Sequence, residues 1–319
     1  MKEFASPNVA RASAPASIGN VAVGYDVFGQ AFDAVRDMVT AHRESKPGVR
    51  LGKVTGLFDT LPGEVHKNTA LAAADALLKA AKADFGVRLD VDKGVPMSAG
   101  MGGSAASAVA AAAAVNALLE TPYATEDLLL FAIEGERVSA DPPPWDNVMA
   151  ALLGGLVMAA NLESALVKPI PLPDGLVTIL FHPDAKTDTQ AARELLSPEV
   201  EMNTVVEHSR RISAFILGCA TGDRALLRVG MEDILVEPQR APLLPELLSV
   251  KDAAMKAGAI GCSFSGSGPS VFAWAEEADA AKVEAAMAAA FALAGRGATA
   301  YHAPPKSEGA RLEPVVENA

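Results

Sequence analysis

Along the first 155 residues the apolar positions switch between two periods. Alternation and short apolar runs predict strands at Val9–Ser17, Val35–His42, Leu51–Leu57 and Val87–Val91. Three- and four-residue spacing on good helix formers predicts helices at Thr69–Ala83, from Ala105 to about Leu119, and at Glu126–Arg137 with Thr125 as N-cap. Gly19, Gly24 and Gly29 punctuate a loop after the first strand. Pro142–Pro144 stop the third helix, because proline cannot continue one. The pattern changes at Gly154-Gly155. Beyond it, strands at Leu156–Asn161, Val177–His182 and Val271–Ala275 mix with helices at Thr189–Leu196, Val205–Thr221, Asp223–Val229, Leu244–Ala257 and Ala278–Ala294. A glycine-rich turn from Gly258 to Ser270 leads into the last strand. A mixture with no long series of βαβ units predicts two α+β domains, residues 1–160 and 161–319, with a short polar tail at the end.

Composition narrows the partners. The 319 residues are half apolar and carry a net charge of −12. A chain this acidic is not expected to bind nucleic acid or an anionic membrane surface, which call for basic patches. An anionic ligand would need a local device: a helix terminus, a cation or a few arginines. Two cysteines, Cys219 and Cys262, are too few and too distant for a metal knuckle, and the five scattered histidines form no zinc motif. Reduced thiols point to the cytoplasm. The N-terminus has no apolar core of a signal peptide, and the alanine run is too short to span a bilayer.

One stretch carries such a local device: Pro96, Met97, Ser98, Ala99, Gly100, Met101, Gly102, Gly103, Ser104, Ala105 and Ala106, running into the alanine helix. The first turn of a helix has unpaired N–H groups and partial positive charge, and glycines let backbone approach a phosphate closely. It is neither a Walker loop nor a dinucleotide fingerprint. Ser104 suits a helix cap or a hydroxyl placed on a phosphate-bound metal.

Three glycine-rich elements occur in order. The first is Ala14-Pro-Ala-Ser17-Ile-Gly-Asn20-Val-Ala-Val-Gly24-Tyr-Asp26-Val-Phe-Gly29, the second is Pro96–Ala106, and the third is Ser265-Gly-Ser-Gly-Pro-Ser-Val-Phe-Ala273. Together they resemble the three motifs of the GHMP small-molecule kinases over nearly the whole chain. Within that superfamily the chain most resembles the homoserine kinase family. Its first element is similar to A-P-A-S-S-A-N-L-G-x-G-F-D-x-x-G. Asp146-Asn147-Val148 with Leu152-Leu-Gly-Gly155 resembles H-x-D-N-V-A-P-x-L-L-G-G. Thr189–Arg193 resembles T-x-x-A-R, and Asp233–Arg240 resembles D-x-x-x-x-P-x-R.

The resemblance implies a two-domain α+β fold with the active site between the domains, commonly a homodimer. It also implies ATP- and Mg²⁺-dependent phosphorylation of the L-homoserine hydroxyl, a step of threonine biosynthesis. It assigns residues 96–106 to the ATP phosphates, Ser104 and Glu136 to Mg²⁺, and Ser265–Gly268 to support of the phosphate loop. Glu134 competes with Glu136, and a solvated helix face would account for either. Asn68 matches an asparagine near adenine, and a helix N-cap accounts for it equally well.

A zwitterionic acceptor calls for arginine on its carboxylate and a carboxylate on its ammonium. Arg193 and Arg240 match the first need, and Asp26, with Asn20 beside it, the second. Asn147 would orient the hydroxyl. Asp146 is either a general base or an acceptor of loop N–H bonds. The chain departs from the family pattern at Pro144, where the histidine of H-x-D-N stands, at Gly103 in place of serine, and at Ile18-Gly19. Proline offers no side-chain donor, so the arginines, or the Trp145 N–H, would take over a carboxylate contact. Two other readings stand beside this one: another GHMP kinase whose substrate lacks a carboxylate, and a non-catalytic sensor of ATP or a metabolite.

Overall fold

The structure, a computed structural model, describes residues 7–187 and 189–315. The last residues of the polar tail, 316–319, lie outside them. In chain order the elements are β1 (Val9–Gly19), β2 (Phe28–Glu44), β3 (Gly48–Gly56), α1 (Thr69–Ala80), β4 (Gly86–Lys93), α2 (Gly103–Asn116), α3 (Leu128–Glu136), α4 (Trp145–Leu153), β5 (Leu156–Asn161), β6 (Leu166–Ile170) and β7 (Leu176–Pro183). Then follow α5 (Thr189–Glu194), α6 (Met202–Thr221), α7 (Arg224–Gly230), α8 (Glu237–Arg240), α9 (Leu247–Lys256), β8 (Gly261–Phe264), β9 (Val271–Glu276), α10 (Ala280–Leu293), β10 (Ala298–Ala303) and β11 (Arg311–Glu313).

Two sheets organise these elements. The first has the order β11-β1-β2-β4-β3, with β5 on the N-terminal end of β2 and β6 beyond it; the second has the order β10-β7-β9-β8. Among the described residues only β3 and β4 run parallel. The 17-residue β2 is the spine of the first sheet, pairing with β1 along its length, with β4 through its far half and with β5 at Phe28–Gln30. The expected boundary near residue 160 falls inside the β5–β6 hairpin. The first sheet therefore runs on to Ile170 and takes back β11 from the end of the chain.

Helix α2 explains its own composition. Every residue of it except Ser104 and Ala113 is buried, and a helix apolar on all sides belongs in a core. Alanine lets β1, β2, α1, α3 and α4 approach it from several directions at once. The sheets are joined by a buried aromatic and amide seam. Phe28 stacks on Phe215 at 5.3 Å, and Phe215 meets Trp274 at 5.6 Å. The Gln30 amide donates to Thr178 Oγ1 at 2.8 Å and accepts from Trp274 Nε1 at 3.0 Å. A second core of Phe181, Leu247, Val250, Met287 and Phe291 fills the far side of the second sheet.

Two local expectations are corrected. Thr125 does not cap the third helix: residues Thr125–Asp127 form a 3₁₀ turn, and no side chain caps α3. The prolines do more than stop a helix. The turn ending α3 is complete by Ala140, and Pro144 stands at the start of α4, where a missing N–H costs nothing.

Candidate active site

A cavity of about 450 Å³ opens where the two sheets meet. Its floor is the loop from Met97 to Ser104. Gly100 and Gly102 adopt φ values of 70° and 64°, in the region glycine tolerates. At Gly100 a Cβ would come within 2.4 Å of the Ser265 carbonyl, and at Gly102 within 2.1 Å of Ser17 Oγ. The loop is gripped from both domains. Ser17 N–H donates to Met101 O at 3.0 Å, Ser265 Oγ donates to Gly100 O at 2.5 Å, and Ser270 N–H donates to Ala99 O at 3.3 Å. Pro96, Ala105 and Ala106 flank the loop, the two alanines buried within α2.

Beneath the loop is an ionic knot that sequence reasoning missed. The fully buried Asp37 of β2 accepts from the Gly94 and Val95 N–H groups, at 3.0 and 2.9 Å, and from Ser107 Oγ at 2.6 Å. It also pairs with Lys93, whose Nζ donates to Gly103 O and Ser107 Oγ, each at 2.9 Å. Lys93 reaches the cleft wall. An Asp and a Lys fifty-six residues apart give no sequence signal until β2 and β4 pair and bring them together.

Ser104 does not cap α2, since Gly102 holds that position; its Oγ donates instead to Glu136 Oε2 at 3.0 Å. Glu136 is fully buried, with Ser139 also donating to Oε2 at 3.0 Å, and its Oε1 has no hydrogen-bond partner. Burial pushes its carboxyl from 4.5 to about 7, against the lowering effect of those two hydroxyls and Lys93. Glu134 points elsewhere, to Arg137 at 3.0 Å on an exposed surface. Asn68 lines the cleft and also caps α1, accepting from the Ala70 and Leu71 N–H groups.

The other end of the cleft is charged. Arg193 of α5 forms a two-pronged pair with Asp26, both contacts 3.1 Å. Arg240, only 2% exposed, donates from Nε to Ala192 O at 3.1 Å and from Nη1 to Gly266 O at 3.4 Å, with Cζ 5.0 Å from the centroid of the Tyr25 ring. Burial lowers its pKa. It is therefore no surface charge: it ties α8, α5 and the third glycine element together. Asp233 and Glu237 hold its helix. Asp233 accepts three N–H groups at its start, and Glu237 binds Lys251 and Ser263 Oγ.

Asn20 is committed within its own loop. Its Oδ1 accepts from Asp26 N–H at 2.8 Å and its Nδ2 donates to Gly266 O at 3.0 Å. These bonds hold Asn20 and Asp26 at φ values of 55° and 53°, which non-glycine residues adopt at a cost.

Between the two ends lie Asp146 and Asn147, in the first turn of α4. Asp146 is buried and accepts from Asn20 N–H at 2.8 Å and Asn147 N–H at 2.9 Å. Burial and the nearby Asp26 push it from 3.8 to about 6, against the effect of those N–H bonds and Arg193. Asn147 Oδ1 accepts from Ser17 Oγ at 3.0 Å, and its amide also faces the cleft. Trp145 packs against the first core and does not line the cavity, so its N–H does not stand in for the histidine that Pro144 replaces. The arrangement offers an anion-binding floor, a sealed carboxylate with a free oxygen beside it, and at the far end charges of both signs.

Comparison with known proteins agrees with this layout. The GHMP kinases N terminal domain matches residues 68–155 and the GHMP kinases C terminal domain matches residues 215–293. A homoserine kinase of Xanthomonas campestris pv. campestris (strain B100) is 44% identical over 95% of this chain and 94% of its own. One from Chlorobium phaeobacteroides (strain BS1) is 38% identical over 87% of this chain and 90% of its own. The crystal structure of homoserine kinase from Cytophaga hutchinsonii ATCC 33406 superposes with a TM-score of 0.92 at 33% identity, covering 96% of this chain and 98% of that one. L. major mevalonate kinase, at 17% identity and a TM-score of 0.66, shares the fold.

Proposed function

The chain belongs to the GHMP kinases and, within them, to the homoserine kinases, and from that membership we propose how its cleft works. The reaction is transfer of the γ-phosphoryl group of ATP to the side-chain hydroxyl of L-homoserine, giving ADP and O-phospho-L-homoserine, a step toward threonine. One observation carries the reading. A single cleft holds both a helix-terminal phosphate loop and, opposite it, the Arg193–Asp26 pair with Arg240 behind. The loop suits a polyphosphate, and the charges suit an amino acid zwitterion.

In this reading the N–H groups of residues 97–104 cradle the ATP phosphates, and Lys93 stiffens the loop from below. The Asp26–Arg193 pair opens to take the homoserine ammonium on Asp26 and its carboxylate on Arg193 and Arg240, exchanging one ion pair for two. Asn147, set by Ser17, orients the hydroxyl toward the loop. Phosphoryl transfer passes through a loose transition state, so positioning and charge neutralisation supply most of the rate. Asp146 anchors Asn20 and Asn147 through their N–H groups. Its raised pKa also suits it to receive the hydroxyl proton late in the transfer.

Mg²⁺ fits Ser104 and Glu136. A buried carboxylate with one oxygen lacking any hydrogen bond, next to a hydroxyl on the phosphate loop, is a donor set for a hard cation that keeps its remaining ligands as phosphate and water. Bound there, the ion would neutralise charge on the phosphates. A sensor would need neither this carboxylate nor Asn147, and a kinase for an acceptor without a carboxylate would leave Arg193 with no anion to recognise.

For assembly we propose a homodimer. Met202, Val205, Val206 and Leu217 of α6 are exposed apolar residues of the kind a subunit contact covers. We place the enzyme in the cytoplasm, where ATP is abundant and the buried thiols Cys219 and Cys262 stay reduced. No helix among the described residues is long and apolar enough to cross a membrane.

ADP release with L-homoserine, mevalonate and galactose as acceptors, with Mg²⁺ and with a chelator, tests the function. Turnover of homoserine alone, lost on chelation, is expected. Turnover of mevalonate or galactose with homoserine untouched would overturn the assignment.

A further inference from the structure

Tyr25 lies at the amino acid end of the cleft, half-buried, and no step above uses it. It lines the cavity together with Asp26, Pro144, Arg193 and Arg240. The Arg240 guanidinium sits over its ring, 5.0 Å from Cζ to centroid. The phenol lies among all four charged groups at that end: Asp26, Arg193, Arg240 and Asp146 all act on it.

A carboxylate presents about four lone-pair sites, and the arginines do not fill them freely. Arg240 already donates to two backbone carbonyls and to the Tyr25 side chain, and Arg193 shares its donors with Asp26. Pro144, which also lines the cavity, has no side-chain donor, and Trp145 packs against the core. Tyr25 lines this space, and because Arg240 can only donate, its hydroxyl accepts from Arg240 and keeps its own proton to donate. Burial and the adjacent Asp26 push its pKa above 10.0, so it keeps its proton at neutral pH and donates. The sequence pattern agrees. Against G-F-D and H-x-D-N, this chain gains a hydroxyl at Tyr25 and loses an imidazole at Pro144.

We propose that the Tyr25 hydroxyl binds the carboxylate of the amino acid acceptor, supplying from the wall beside Arg240 the contact that Pro144 cannot make. This rests on the homoserine reading. Tyr25 is then a substrate-binding residue that sets selectivity for an α-amino acid over a simple amino alcohol.

The test compares L-homoserine with 3-aminopropan-1-ol, the same acceptor without its carboxylate, on wild type and Tyr25→Phe. The variant keeps the ring under Arg240 and loses the hydroxyl with the hydrogen bond it accepts from Arg240, a loss common to both acceptors, so the carboxylate contact is read from the difference between them. Its kcat/KM for L-homoserine is expected to fall about tenfold, the return on one hydrogen bond to a charged group. Its kcat/KM for 3-aminopropan-1-ol and its KM for ATP stay within about twofold. Adding Pro144→His to Tyr25→Phe is expected to recover part of the loss. An equal fall for both acceptors would assign Tyr25 to loop support and overturn the proposal, as would no fall.

A measurement on the wild-type protein needs no variant at residue 25. The chain has three tyrosines, Tyr25, Tyr123 and Tyr301. With ¹³Cζ labelling, and assignment through Tyr123→Phe and Tyr301→Phe, the Tyr25 signal should move several times further with L-homoserine than with 3-aminopropan-1-ol, which brings only the ammonium to Asp26. A signal that stays still, or moves equally with both acceptors, overturns the proposal. If wild type phosphorylates homoserine while these signatures are missing, only the Tyr25 assignment falls. If it leaves homoserine untouched, the parent reading falls as well.

Discussion

Glu136 shows what a single buried residue costs and supplies. Its carboxyl is raised from 4.5 to about 7 by burial. Between those values the folded chain holds a proton that the unfolded chain has released, so this group's contribution to stability falls as pH rises through the interval. Glu136→Gln is neutral in both states. Without metal and nucleotide it should therefore unfold at a higher temperature than wild type at pH 8, by up to about 3 kcal/mol at 1.36 kcal/mol per unit, and should match wild type near pH 4. Activity should move the other way, with kcat down at least about a hundredfold, because phosphate charge is left unneutralised. Thermal melts across pH and saturating kinetics check both arms. A variant of normal kcat would hand the metal to another carboxylate.

The residue types of this site were legible before the structure: a serine on the phosphate loop and a glutamate on the next helix. The sealed geometry was not. Burial depends on α2 and α3 packing against each other, and no local pattern records that. Lys93 and Asp37 were illegible for the same reason, since only the pairing of β2 with β4 brings them together.

At the scale of elements, long periodic helices such as α1, α2 and α10 were readable because their apolar spacing repeats over several turns. Among the short ones α3, α5 and α7 were readable too, but α4 and α8 were not. Helix α4 hid behind three prolines that read as a stop, although proline suits a helix start as well as it blocks an interior. Strand β8 hid inside a glycine-rich turn, and β10 and β11 draw their order from strands far away in the chain.

The phosphate loop depends on both kinds of information. Its glycines were visible, but what they make room for came from packing. Gly102→Ala would force a Cβ to 2.1 Å from Ser17 Oγ at a φ of 64°. It should lower stability by more than about 1 kcal/mol. It should also disturb Asn147, which that serine holds, so kcat should drop more than KM for homoserine rises. Denaturant melts with steady-state kinetics separate the two effects. Unchanged kcat in a destabilised variant would remove Ser17 from the positioning chain.

At the scale of the whole molecule, the cleft exists because the second sheet's loops close over the first sheet's helices. Arg240 joins α5 to the third glycine element, and Asn20 joins that element to the first. In the proposed reading, acceptor binding is therefore a property of the closed pair of domains, and the two arginines should differ. Arg193→Ala removes the charge that, in that reading, meets the acceptor carboxylate. Arg240→Ala also releases α5 and the Gly266 loop, so it should lower stability and disturb the nucleotide site too.

The most direct test of the central claim is the selectivity for L-homoserine over 3-aminopropan-1-ol, as a ratio of kcat/KM, in wild type and Arg193→Ala. Wild type should prefer homoserine, and the variant should lose roughly ten- to a hundredfold of that preference while its KM for ATP stays near normal. A preference that survives intact in Arg193→Ala would contradict the account, because the cleft would then read the carboxylate without the arginine it assigns to that task.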